Sequence, residues 1–403
     1  MTTSTPPKVS WAQADARRMH RQFLAEPTDA PPATVAAAML GAHAQVLSAA
    51  ELSLALRTTD GTRADVRAAL WEDGTLVKTH GPRGTVHLLP ATDLPMWTGA
   101  LSAIPTGANP MPADVRMTEE QTDQVLAAIA DALTDTELTV DELTDAIVAR
   151  TGPWAGDRVM EAFQDKWPRW RQITHLAGHR GVLCFGRDRG RKVTYTNPGV
   201  RPAEGTGALG DLVERYLYAY GPAGPRHFAK WLAAPVGWAT GLFTSLTGAG
   251  RIEEVEFEGA PGWVVAGDTA FPDARPARGV RLLPYFDAFT IASQPREALF
   301  PGDAYDRALA GGQAGNYPVL LIDGTVAGVW HQRRSGRRIT VTVEPLTSLK
   351  TPKTTTAPKA PKALHPLSAT RLRALEAQAE RVGTILEGRA ELVVGQVTVG
   401  PHA

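Results

Sequence analysis

The sequence predicts an α+β fold: three tandem winged-helix modules followed by a C-terminal β-barrel-like domain. Helices followed by a strand–turn–strand occur three times at a spacing of roughly 80 residues, more repetition than chance provides. After Val280 the texture changes to short apolar strands joined by Gly-containing turns, the pattern of a small barrel or sheet. A chain of 403 residues exceeds one hydrophobic core. The repeats divide it at 1–110, 111–204, 205–275 and 276–403.

The first module begins with a helix from Trp11 to Phe23, stopped by a Pro-rich stretch to Pro32. Thr34–Leu40 is a short Ala-rich helix leading into His43-Ala44-Gln45. Ser48-Ala-Ala-Glu51 has capping-box spacing and opens a helix to Arg57, and Thr62–Glu72 is the next helix. The period then changes: Thr75–Thr79, a Gly81-Pro-Arg-Gly84 turn and Thr85–Leu89 form a hairpin. In a module of this order a helix can enter a DNA groove while the hairpin meets the backbone or minor groove.

In the second module, Thr118-Glu-Glu-Gln121 and Thr139-Val-Asp-Glu142 are capping boxes opening amphipathic helices. A third helix is expected between Asp157 and Leu176. Gly181–Phe185, a Gly-Arg-Asp-Arg-Gly turn and Lys192–Thr196 then make an arginine-rich wing. The third module runs through helices Leu209–Tyr220 (ended by Gly221-Pro222), Arg226–Ala233 and Trp238–Thr247 to a hairpin, Ile252–Glu258 and Trp263–Ala266. Glu253, Glu254, Glu256 and Glu258 in that wing argue against contact with a polyanion. Beyond Val280, strands are expected from Val280, Pro318, Val326 and Arg338. A basic Pro/Thr linker at 350–366, a helix Ser368–Leu386 and a strand Ala390–Val394 returning to the sheet complete the chain.

Hydrophobic content of 43% and charged content of 21% are ordinary for a globular chain. No apolar run is long enough to cross a bilayer and no apolar signal core follows Met1, so a cytoplasmic protein without membrane contact is expected. The single cysteine, Cys184, excludes an intramolecular disulfide and a cysteine-based zinc finger, and in an apolar strand it reads as inert core. Net charge is zero but segregated. Ten acids against the one base Arg116 fill Asp114–Asp145, whereas eight bases against the one acid Asp188 fill Lys166–Lys192. Such segregation can still release counterions from a phosphate backbone. Arg187, Arg189, Arg191 and Lys192 are therefore expected phosphate contacts. Arg333, Arg334, Arg337 and Arg338 flank a Ser335-Gly336 turn, a hairpin tip able to enter a groove.

His43 and Gln45 are two hydrogen-bonding side chains in an otherwise apolar run, placed just before a helix start. Residues two apart in extended or turn backbone point the same way, so both can address one small target. The plainer alternative is a turn whose His and Gln satisfy local backbone groups. In the first wing, Arg83, Thr85 and His87 are candidates for contact with phosphate or a modified base, although Gly84-Thr85 can equally fix the turn over a packed His87. His175 and His179 stand four apart, but Gly178 and Gly181 end that helix and no carboxylate has zincin spacing, so neither a metal nor an organic cofactor is expected.

Several segments together resemble the AlkZ-like (YcaQ-like) winged-helix DNA glycosylases. They are Arg83-Gly-Thr-Val-His-Leu88, Tyr220-Gly-Pro-Ala, Leu283-Pro-Tyr-Phe-Asp287, Pro318-Val-Leu-Leu-Ile-Asp-Gly and Gly328-Val-Trp-His-Gln-Arg-Arg. Their order and spacing cover most of the chain. The resemblance implies tandem winged helices and a β-barrel arranged in a C shape around a DNA channel. It also implies monofunctional removal of alkylated bases, often bulky adducts or crosslinks left by genotoxins, from double-stranded DNA. The family's catalytic triplet is Gln-apolar-Gln or Gln-apolar-Asp; here His43-Ala44-Gln45 holds that place, matching at Gln45 and departing at His43. Asp287, within one of the matching segments, is a supporting residue that orients a water or, more simply, a backbone turn. A series of unlike modules already builds a channel, so a monomer is expected. The competing readings are a non-enzymatic winged-helix regulator and a protein that sequesters the genotoxin itself. A regulator is disfavoured because Thr62–Glu72 carries two Arg but no Asn or Gln for base reading.

Overall fold

The computed structural model describes residues 6–105, 107, 111–161, 165–271, 279–346 and 367–402; the basic linker expected at 350–366 lies outside them. The first unit contains β1 (Lys8–Val9), α1 (Trp11–Arg21), α2 (Pro32–Ala38), β2 (Ala42–His43), α3 (Leu47–Ala55), α4 (Arg63–Trp71), β3 (Leu76–His80), β4 (Val86–Pro90) and α5 (Leu94–Ser102). Its sheet has the order β2-β4-β3. Val35, Met39, Leu54, Val66, Leu70 and Leu88 fill the space between that sheet and α2–α4.

The second unit contains α6 (Glu119–Ala132), β5 (Glu137–Thr139), α7 (Val140–Thr151), β6 (Arg158–Glu161), β7 (Lys166–Pro168), α8 (Thr174–His179), β8 (Cys184–Phe185) and β9 (Thr194–Thr196). Thr118 and Thr139 cap α6 and α7 with both halves of the capping box formed. The helix expected between Asp157 and Leu176 is corrected: most of that span is the β6–β7 ribbon and a 3-10 turn, and only α8 is helical. Burial of Trp170 in the core of this unit fixes the turn.

The third unit contains α9 (Gly205–Tyr220), α10 (Pro225–Leu232), α11 (Val236–Gly248), β10 (Ile252–Phe257) and β11 (Ala260–Val265), with β1 added in parallel to β10. Its core reaches back to the first unit, because Trp97 and Leu101 of α5 pack with Leu212, Tyr216, Phe228, Trp231 and Phe243.

The last region contains β12 (Val280–Leu283), α12 (Ala288–Ala292), α13 (Arg296–Leu299), α14 (Asp303–Ala308), β13 (Val319–Ile322), β14 (Thr325–Ser335), β15 (Arg338–Pro345), α15 (Ala369–Ile385) and β16 (Arg389–Val394). The sheet runs β12-β13-β14-β15-β16, with β16 parallel to β15. It is a curled half-barrel rather than a closed barrel, since β12 and β16 remain its edges. Leu375, Ala379 and Val382 of α15 pack against Leu282, Trp330 and Val341 over one face. Among the described residues no helix is long and apolar enough to cross a membrane.

Candidate active site

His43 owes its place to a sharp reversal after α2. Leu40 and Gly41 both take positive φ, 56° and 90°, and a side chain at Gly41 would meet Leu89 Cδ2 at 2.6 Å. The chain then pairs antiparallel with β4, His43 opposite His87, and Ala44 N donates to Val86 O at 2.7 Å. His43 therefore lies in a short strand just before α3, the extended one of the two backbone forms, extended or turn, that the sequence allowed. The capping box Ser48–Glu51 is also corrected. Helix α3 starts at Leu47 with Val46 as its N-cap. Glu51 is fully buried and reaches across to Arg67 of α4 at 2.6 Å, because a carboxylate inside the core needs a cation more than it needs a cap.

His43 is 8% exposed. Its ring stacks on Phe286 at 4.6 Å and 27°, and meets the edge of His87 at 5.1 Å and 65°. Nδ1 is buried without a partner, which leaves Nε2 as the open ring nitrogen. Burial, reinforced by the charge of Arg83 and then by His402, pushes His43 down to about 4, so it is a neutral imidazole at physiological pH. His87 donates from Nδ1 to Thr85 O at 2.8 Å, which fixes its tautomer, and burial holds it well below the usual imidazole range. Gln45 is exposed and makes no side-chain bond among the described residues.

Phe286 is positioned by its neighbours. Its φ is 57°, and its N–H donates to Gly315 O at 2.8 Å. The next residue, Asp287, accepts from Arg57 Nη1 at 2.8 Å and Nη2 at 2.9 Å, from Ser53 Oγ at 2.5 Å, and from the N–H of Phe289 at 3.0 Å. Asp287 thus locks the Phe286 loop to α3, the helix that follows His43-Ala44-Gln45; all four contacts tie it to the fold. Phe286 and His402 were not singled out as site residues in the sequence, because only long-range packing brings them to His43; Arg57 was missed because its partner Asp287 is equally remote in the chain.

The candidates of the β3–β4 hairpin have internal partners. Arg83, at φ 61°, donates to Trp231 O at 2.7 Å near the end of α10. Thr85 donates to Pro82 O at 3.0 Å. In the β8–β9 hairpin, Arg189 pairs with Glu142 at 2.8 Å and Lys192 with Asp141 at 2.9 Å, while exposed Arg187 and Arg191 have no side-chain partner among the described residues. At the β14–β15 turn, Arg334 donates to Leu386 O at 2.7 Å and Arg338 to Glu391 at 2.8 Å; Arg333 and Arg337 are exposed and unpaired among the described residues. His175 and His179 lie ring to ring at 5.8 Å, but His179 Nε2 bonds Gly81 O at 3.1 Å. Among the described residues no cluster of three His, Cys, Asp or Glu side chains could hold a metal ion. Cys184 is buried, its thiol pushed up to about 12 by that burial.

The chain matches, over residues 36–385, the family described as DNA glycosylase AlkZ-like. The chain belongs to that family and is a DNA glycosylase, a hydrolase acting on DNA. It is 30% identical over 336 residues to the interstrand DNA cross-link repair glycosylase of Streptomyces sahachiroi, spanning 80% of this chain and 88% of that one. The solved structure of Streptomyces sahachiroi DNA glycosylase AlkZ is similar at a TM-score of 0.76 and 28% identity, over 96% of this chain and 100% of that chain. The non-enzymatic regulator and the sequestering protein are thereby set aside.

Proposed function

We propose that the chain hydrolyses the N-glycosidic bond of alkylated purines in duplex DNA, N7-alkylguanine or N3-alkyladenine, with His43 and Gln45 as the catalytic pair. The observation that carries the reading is the neutral, stacked His43 with one open ring nitrogen, in the triplet position beside exposed Gln45. An alkylated purine is already cationic and leaves without protonation. The site has to orient a water beneath the sugar and stabilise an oxocarbenium-like transition state. A neutral imidazole and an amide carbonyl are sufficient for both. A pKa of about 4 makes His43 a weak base, so placing the water is its main task.

The triplet contains no lysine for Schiff-base chemistry, so base release proceeds without strand cleavage. The name of the Streptomyces sahachiroi relative supports extending the substrates to bulky adducts and crosslinks. We read the three helix–hairpin units as winged helices that line a DNA channel with the half-barrel, in a cytoplasmic monomer. Arg187, Arg191, Arg333 and Arg337 meet phosphate directly. Arg189, Lys192, Arg334 and Arg338 can exchange weak surface partners for it. Incubating the protein with duplex containing N7-methylguanine tests the reading: chromatography should show the free modified base and an intact abasic strand. Strand scission without added alkali contradicts the monofunctional assignment.

A further inference from the structure

The segment after β16 runs back to the candidate site along bonds that fix it. Gly395 N donates to Val343 O at 2.9 Å. Buried Val397 donates to Glu344 Oε2 at 2.8 Å, and Arg307, paired with Glu344 at 2.9 Å, donates to Val397 O at 2.8 Å. His402 N then donates to Asn316 O at 2.8 Å, one residue beyond the Gly315 carbonyl that holds Phe286. The His402 ring, half-buried, meets Tyr285 at 5.4 Å and 64°, and Phe286 at 5.2 Å and 77°. Phe286 is thus in contact with two histidine rings, His43 stacked on it and His402 in T-shaped contact.

We infer that His402 is a positioning residue for His43, acting through Phe286. The backbone of Phe286 is held by Gly315 and by the neighbouring Asp287, but neither bond sets the plane of its ring. A T-shaped aromatic contact is directional. His402 therefore selects the ring plane on which His43 stacks, and with it the direction of the open Nε2. The inference rests on the reading of His43 as catalytic. The charged groups acting on His43 are Arg83 from the β3–β4 hairpin and His402, and the His87 ring from β4 lies against it at 5.1 Å. His402 is one of the groups that hold His43 low, so replacing it leaves a signature in the acid limb of the pH profile.

The test is single-turnover base release from duplex containing N7-methylguanine across that acid limb, with melting temperature and duplex affinity measured alongside. His402→Ala is expected to lower the rate about tenfold, with affinity and melting temperature unchanged. His402→Phe, which keeps the edge contact, should restore the rate to within about threefold. Both variants should move the acid limb to higher pH. If His43→Ala abolishes release while His402→Ala changes neither rate nor acid limb, the inference falls and the catalytic reading stands. If His43→Ala retains the full rate, the catalytic reading fails and takes the inference with it. A His402→Ala variant that loses melting temperature and rate together, without recovery by Phe, marks a merely structural contact and also overturns it.

Discussion

Arg57 and Asp287 meet in a two-pronged ion pair with neither side chain exposed. It is the bolt between α3, which follows His43-Ala44-Gln45, and the loop that presents Phe286. Removing one partner leaves an uncompensated charge inside the protein, at a cost of about 3–5 kcal/mol. Asp287→Asn and Arg57→Met should each lower the urea midpoint accordingly. The double variant Arg57→Met/Asp287→Leu should lose less than the two singles together, because no lone charge remains. Additive losses would show that the two residues act independently.

Buried histidines set the acid side of stability. Burial holds His43 and His179 at about 4 and His80 at about 3. In the unfolded chain they titrate near about 6.5. Below that pH the unfolded state takes up protons that the folded state refuses, so stability rises with pH through this window. It should be fully present above about 6.5 and fall progressively towards about 3, the value of His80. Urea midpoints measured across the window check the sign; a midpoint that stays flat contradicts these environments.

The unpaired arginines should dominate the salt dependence of duplex binding. Arg333→Ala with Arg337→Ala should reduce the slope of log affinity against log salt by about 1–2. Arg189→Ala with Lys192→Ala should change it less, since each base also releases an acid, Glu142 or Asp141, that repels phosphate. Equal slopes for the two double variants would count against the β14–β15 turn as a DNA contact.

What the sequence made legible was local. Thr118 and Thr139 carry their capping partners three residues on, Gly221-Pro222 ends α9, and α15 and β16 follow their own periodicity. What it hid was long-range. Two residues, Ala42 and His43, become a strand only because β4 offers its edge. Glu51 matches the spacing of a cap but is drawn inward by Arg67. The short helices α12–α14 carry too few residues to show a period, and His402 reaches Phe286 only after the chain has passed through the half-barrel. The pair His43 and Gln45 stood out as polar residues in an apolar run; the ring stack that orients one of them did not.

The proposed catalysis rests on that pair. Single-turnover release of N7-methylguanine from duplex DNA by His43→Ala, Gln45→Ala and the double variant tests it most directly, with melting temperature as the control for folding. We expect each single variant to lose about tenfold or more in rate. The double variant should lose little beyond the poorer single, because both groups serve one water, and folding should be retained. Near-normal release by the double variant would contradict the assignment of His43 and Gln45 as the catalytic pair.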